Sequence, residues 1–95
     1  MAKNEVGHVL RDPEQLVAIK KRLKRAHGQM GAVIRMLEEG RSCEEVVTQM
    51  AAVTKAVNTA AFTLISSSLK ECIADPRIDS DVGSEKLQKL FLSLA

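Results

Sequence analysis

The sequence predicts an all-α protein on three observations. The 95-residue chain has no Trp, no Tyr and only two Phe, so any core must come from Leu, Ile, Val, Met and Ala, a helical palette. Apolar residues recur at intervals of three and four through two long stretches. The second of these, Cys43 to Cys72, contains neither Gly nor Pro. The expected protomer has two long antiparallel helices and a short C-terminal helix.

Residues 1–11 show no clear period and read as a mobile N-terminal arm that carries His8; residues 12–95 form one domain. Asp12-Pro13-Glu14-Gln15 is a helix start. Asp12 is the N-cap, Pro13 stands where a missing N–H costs nothing, and Gln15 has the position from which a capping box reaches back. Leu16, Ile19, Leu23, Ala26, Met30, Val33 and Leu37 then form a heptad-type seam that ends at Gly40, suited to a left-handed C-cap.

The second helix begins at a second capping box, Ser42 to Glu45, with Cys43 as its first residue. It carries two stripes. One runs through Cys43, Val46, Met50, Val53, Val57, Ala60 and Leu64, the other through Ala61, Ile65, Ser68 and Cys72. Two apolar faces exceed what one hairpin partner can cover, so a second subunit is expected on one of them, giving a dimer of four-helix-bundle type. Asp75-Pro76-Arg77 closes the helix, and a short third helix is expected near Ser84 to Leu94, with Leu87, Leu90, Phe91 and Leu94 on one face.

Charge narrows the functions. The net charge is only +2, but Lys20, Lys21, Arg22, Lys24, Arg25 and Arg35 fall between Gln15 and Leu37 without a single acid. Lys20, Lys21, Lys24 and Arg25 lie off the apolar seam, an exposed strip that suits the phosphates of double-stranded DNA. Without aromatics among these bases, single-stranded binding by stacking is disfavoured. The start Met1-Ala2-Lys3-Asn4-Glu5 is not a signal peptide, two cysteines make no disulfide framework, and no apolar run would span a membrane, so the chain reads as cytoplasmic. With no Cys-x-x-Cys, no acid–base pair beside either thiol and no phosphate loop, enzymatic chemistry is not expected.

The cysteines are the sharpest feature. Twenty-nine residues apart on one helix, they would lie roughly 43 Å from each other. A disulfide needs Cα atoms within about 7 Å. If the thiols cooperate, they do so between chains, Cys43 of one protomer meeting Cys72 of another across antiparallel helices. A soft metal such as Cu(I) would want a further soft or imidazole ligand, most simply one turn before Cys72, where Ser68 stands. His8 could fold over from the arm, whereas His27 belongs to the basic helix. Two thiols without a third ligand favour sulfur redox chemistry over metal binding, with Cu(I) held by Cys43 and Cys72 as the alternative. No resident cofactor is expected.

The segments Arg22-Leu23-Lys24-Arg25-Ala26-His27-Gly28-Gln29, Arg35-Met36-Leu37-Glu38 and Gln49-Met50-Ala51-Ala52-Val53, with Cys43 and Cys72, resemble the copper-sensing operon repressor family (CsoR/RcnR/FrmR-like) over residues 16–94. The resemblance implies dimers of three-helix protomers assembled as a disc-shaped tetramer that represses an operon until an inducer binds. Copper sensors of that family use Cys, His and Cys, which correspond here to Cys43, Ser68 and Cys72. The tyrosine that precedes their first cysteine is Ser42, and the glutamate of their last helix is Lys89. Nickel and cobalt members use several histidines that this chain lacks, and formaldehyde members typically lack the second cysteine. The chain is similar to the persulfide-sensing, CstR-like branch, with reactive sulfur species as inducer and an interprotomer Cys43–Cys72 di- or polysulfide as the sensed state. The family's DNA contacts would fall on Arg22, with Lys20, Lys21, Lys24 and Arg25 beside it. An arginine of some members is Thr59 here, and Lys55 one turn earlier would substitute for it.

Overall fold

The computed structural model describes residues 8–74 and 80–94 and contains three helices: α1 (Pro13–Glu38), α2 (Cys43–Ala74) and α3 (Ser80–Leu94). Residues 1–7, most of the expected arm, and the expected breaker Asp75-Pro76-Arg77 lie outside the described residues. α1 and α2 form an antiparallel hairpin, and α3 packs on α2 alone among the described elements.

Both ends of the hairpin turn follow from local chemistry. Arg41 N–H donates to the Met36 carbonyl at 3.0 Å and Gly40 N–H to that of Leu37 at 3.2 Å, the paired bonds of a Schellman ending. Gly40 supplies the φ of 75° this ending requires. Ser42 Oγ accepts from Glu45 N–H at 3.2 Å to start α2. Glu45 does not complete the box on the Ser42 amide; its carboxylate accepts from the Ser42 hydroxyl at 3.4 Å and from Arg41 Nη2 at 3.0 Å.

At the start of α1, Asp12 Oδ1 accepts from the amides of Glu14 at 3.0 Å and Gln15 at 3.4 Å, as the sequence predicts. Gln15 does not reach back. Its side chain accepts from Ser67 Oγ at 3.3 Å, and the Asp12 amide goes to a carboxylate 59 residues away, Glu71 Oε2 at 2.7 Å.

Each seam divides by position within the heptad. Ile19, Ala26 and Val33 of α1 are buried, and so are Val46, Val53 and Ala60 of α2. One core cluster joins Val33, Val46 and Val53, with Met36 packed against it; another joins Leu10, Ile19 and Ala60. The alternate residues remain open: Leu23 is 43%, Met30 49% and Leu37 62% exposed, and Met50, Val57 and Leu64 of α2 are exposed likewise. Met30, Ile34, Leu37 and Met50 border a single apolar groove of about 390 Å³. The protomer thus fills half of each heptad seam and leaves the other half as a continuous apolar face.

α3 begins at Ser80, a turn before the sequence expectation. Gly83, which reads as linker, lies within the helix. Packing on α2 supplies what propensity lacks. Phe91 meets Phe62 of α2 with ring centroids 5.2 Å apart and planes tilted by 60°. The expected apolar face is only partly covered, since Leu90, Phe91 and Leu94 all remain exposed to some degree.

Candidate functional site

The basic residues divide between a groove and the open surface of α1. Arg22 and Arg25 of α1 and Lys55 of α2 border a polar groove of about 280 Å³ between the two helices, together with Gln29 and Thr59. The 3-4 spacing of 22, 25 and 29 puts those side chains on one α1 face, and folding the chain about Gly40 sets residue 55 opposite residue 25. Lys20, Lys21, Lys24 and His27 are exposed but outside this groove. Gln29 was not singled out as a site residue from the sequence; its place one turn beyond Arg25 was the available signal. A groove with three cations and an amide offers donors to a phosphate backbone.

Cys43 is exposed at the first turn of α2. Arg41, the nearest cation in sequence, is engaged by Glu45 through Nε at 3.3 Å and Nη2 at 3.0 Å, and by Glu39 at 3.4 Å. Those bonds raise the guanidinium further, Glu45 foremost, and Arg41 holds the Glu45 carboxyl below its ordinary range. The charge of Arg41 is therefore directed at carboxylates. Thr48 closes the first turn by donating to the Glu44 carbonyl at 2.7 Å.

Cys72 stands at the other end of α2 and is 1% exposed. Ser68, one turn earlier, is also buried. The adjacent Glu71 is the residue that sequence reasoning missed, although it is the first acid after Glu45 in a long uncharged or basic stretch. Its Oε1 accepts from His8 Nε2 at 2.8 Å and Arg11 N–H at 3.0 Å, and its Oε2 from Asp12 N–H at 2.7 Å and Arg11 N–H at 3.1 Å. A carboxylate only accepts, so the His8 nitrogen facing it carries the proton. Burial alone would push the Glu71 carboxyl up, but the Arg11 amide, the His8 ring and the Asp12 amide outweigh it and hold the group below its ordinary range.

These bonds tie residues 8–12 to the end of α2. The His8 side chain is 3% exposed and Leu10 is in the core with Ile19 and Ala60. Glu71 also lies at the positive end of α1, where a negative charge is favoured.

Cys43 and Cys72 are at opposite ends of α2, Ser68 offers a hydroxyl, and His8 gives Nε2 to Glu71, which leaves Nδ1 as its one nitrogen for a metal. Among the described residues no three His, Cys, Asp or Glu side chains converge. The donor set of one protomer does not fit a Cu(I) site, and any site that uses both thiols must join two protomers.

The structure combines a helical hairpin, a basic groove between its helices and a cysteine at each end of the longer one. Residues 16–93 match the family model of the metal-sensitive transcriptional repressors, and the chain belongs to that family. It is 35% identical over 76 residues to the copper-sensing transcriptional repressor RicR of Mycobacterium tuberculosis, covering 79% of each chain. It is 33% identical over 73 residues to the copper-sensing transcriptional repressor CsoR of Bacillus subtilis, covering 77% of this chain and 71% of the relative. An uncharacterized protein encoded 5′ of bioA in Serratia marcescens is 36% identical over 89 residues, 94% of each chain. No solved structure gives a significant match. Membership in a family of transcriptional repressors makes DNA the partner and an oligomer the working form. No described helix is long and apolar enough to cross a membrane.

Proposed function

We propose that the protein is a cytoplasmic operator-binding repressor that releases DNA when reactive sulfur links Cys43 of one protomer to Cys72 of the partner subunit. The observation that carries sulfur over metal is the buried serine one turn before Cys72, at the position where a soft metal would want an imidazole or a thiolate. Two thiols can make and break sulfur bonds without a third ligand. The exposed Cys43 is the attacking group. Its thiolate takes the outer sulfur of a persulfide donor and the donor's thiolate departs, leaving a persulfide on Cys43. Cys72 of the partner subunit then attacks the Cys43 sulfur and expels hydrosulfide. The two thiols are oxidised to a disulfide while the transferred sulfur is reduced. A donor that leaves two sulfurs on Cys43 gives a trisulfide by the same expulsion.

The open halves of the heptad seams, Leu23, Met30 and Leu37 on α1 with Met50, Val57 and Leu64 on α2, are the surface a second copy covers to complete a four-helix bundle. Pairs of such dimers form the tetramer. Arg22, Arg25 and Lys55 hold phosphates of double-stranded DNA, and Lys20, Lys21 and Lys24 add charge along the same helix. A bridge between protomers fixes the relation of their grooves, so sulfur and DNA favour different states of one assembly.

Copper is the second reading, favoured by the copper-sensing relatives. One gel-shift experiment decides between them. Inorganic polysulfide, Cu(I) and formaldehyde are added in parallel to the protein bound to its neighbouring promoter. Release by polysulfide, lost in Cys43→Ala and Cys72→Ala, is the expected result. Release by Cu(I) alone would replace the sulfur reading with the metal one.

A further inference from the structure

Cys72 is almost fully enclosed in the protomer although the sulfur chemistry needs it, and the residue beside it is the one that pins the N-terminal segment. Glu71 gathers His8 and the amides of Arg11 and Asp12 on its two oxygens, and Leu10 is buried between those donors. The antiparallel register that pairs Gln15 with Ser67 and Ile19 with Ala60 carries residues 8–10 to the level of Cys72. These contacts join segments about 60 residues apart in sequence and all converge on one carboxylate.

We propose that residues 8–12 are a lid on Cys72, held shut by Glu71, that limits which sulfur compounds reach the thiol. Glu71 is a positioning residue: it touches no reacting atom and acts through the segment it holds. With the lid down, small sulfur species reach Cys72 and bulky disulfides are excluded; Cys43 of the partner subunit meets it when the lid lifts. The lid keeps the sensor silent toward the general disulfide pool. This inference rests on the reading of Cys72 as a sensing thiol, but the lid itself is measured without reactive sulfur.

The test uses the full chain with Cys43→Ser, so that Cys72 is the reporting thiol. Labelling rates are measured with a bulky aromatic disulfide and with a small methanethiosulfonate, for the parent, Glu71→Gln and His8→Ala. Glu71→Gln should speed labelling by the bulky reagent about tenfold or more, the scale of losing hydrogen bonds to a charged acceptor. The small reagent should gain less, so the ratio of the two rates rises. Ser67→Ala, which removes the neighbouring bond to Gln15 and leaves Glu71 intact, should change neither rate. Thermal unfolding measured alongside separates lid opening from general loosening, which would speed both reagents equally. An unchanged ratio in Glu71→Gln, or a rise that appears instead in Phe91→Ala, would overturn the proposal, the latter because α3 would then be the cover. If the lid fails while polysulfide still crosslinks the protein, the sulfur reading stands. If the lid holds and no crosslink forms, that reading fails alone.

Discussion

Met50→Asp separates the fold of the protomer from its assembly. Met50 is 51% exposed in the protomer and borders the apolar groove with Met30, Ile34 and Leu37. An aspartate there keeps its carboxylate in water as long as the protomer is alone, so the hairpin loses the helix-propensity difference, about 0.5 kcal/mol, and the contacts of the covered half of the methionine, about 1 kcal/mol. Covered by a second copy, the same carboxylate is desolvated without a partner, and the methionine no longer buries its apolar surface. Together these cost about 3 kcal/mol per site. A two-fold interface contains the change twice. The dimer is then weakened by about 6 kcal/mol, or roughly ten-thousandfold in dissociation constant. Sedimentation velocity over a concentration series reads this directly, with circular dichroism to follow helix content. Thr48→Asp, on the opposite side of α2, is the control and should leave association unchanged. Parent-like association of Met50→Asp would refute the assignment of the open heptad positions to the subunit interface.

The groove and the capping bonds give further expectations. Lys55→Ala should weaken operator binding about equally across sequences and lower the slope of log K against log salt by about 0.9 for each phosphate no longer neutralised, measured by fluorescence anisotropy. A weakening confined to one base position would contradict backbone recognition. Gly40→Ala forces an L side chain into a left-handed conformation and should destabilise the hairpin by about 1 kcal/mol in denaturant unfolding, with no change in the salt slope. Because the Glu71 carboxyl is held below its ordinary range, the lid contributes stability fully above about pH 4.3. That stability should vanish as pH falls through the lower folded value. The amide shifts of Arg11 and Asp12 should titrate together with a midpoint below about 4.3, and this step should disappear in Glu71→Gln. A midpoint at or above that value would contradict the cause assigned to the shift.

Local chemistry made most of the fold legible. Asp12 and Ser42 are side-chain oxygens poised for unpaired amides, Gly40 is the residue that tolerates positive φ, and each acts within four residues of its own position. The third helix was read a turn short because Gly83 signals a linker while its cover comes from α2. Which half of each heptad seam faces the hairpin was not legible, since Ile19 and Leu23 are both apolar and only packing distinguishes them. The site was half readable. Arg22, Arg25 and Lys55 were named, but that they share one groove while Lys20, Lys21 and Lys24 do not depends on the register set by Gly40. Glu71 was missed because its partners are some 60 residues away and two of its donors are backbone amides, which no side-chain pattern announces.

The link between Cys43 and Cys72 is tested most directly by mixing isotopically heavy and light protein, exchanging subunits, treating with inorganic polysulfide, and mapping the tryptic peptides. Cleavage at Arg41, Lys55, Lys70 and Arg77 isolates the two thiols in the peptides 42–55 and 71–77. A di- or trisulfide joining heavy 42–55 to light 71–77 is the predicted product, and it should appear in step with loss of operator binding. Separate monothiol adducts on the two peptides, with operator binding lost all the same, would contradict the account.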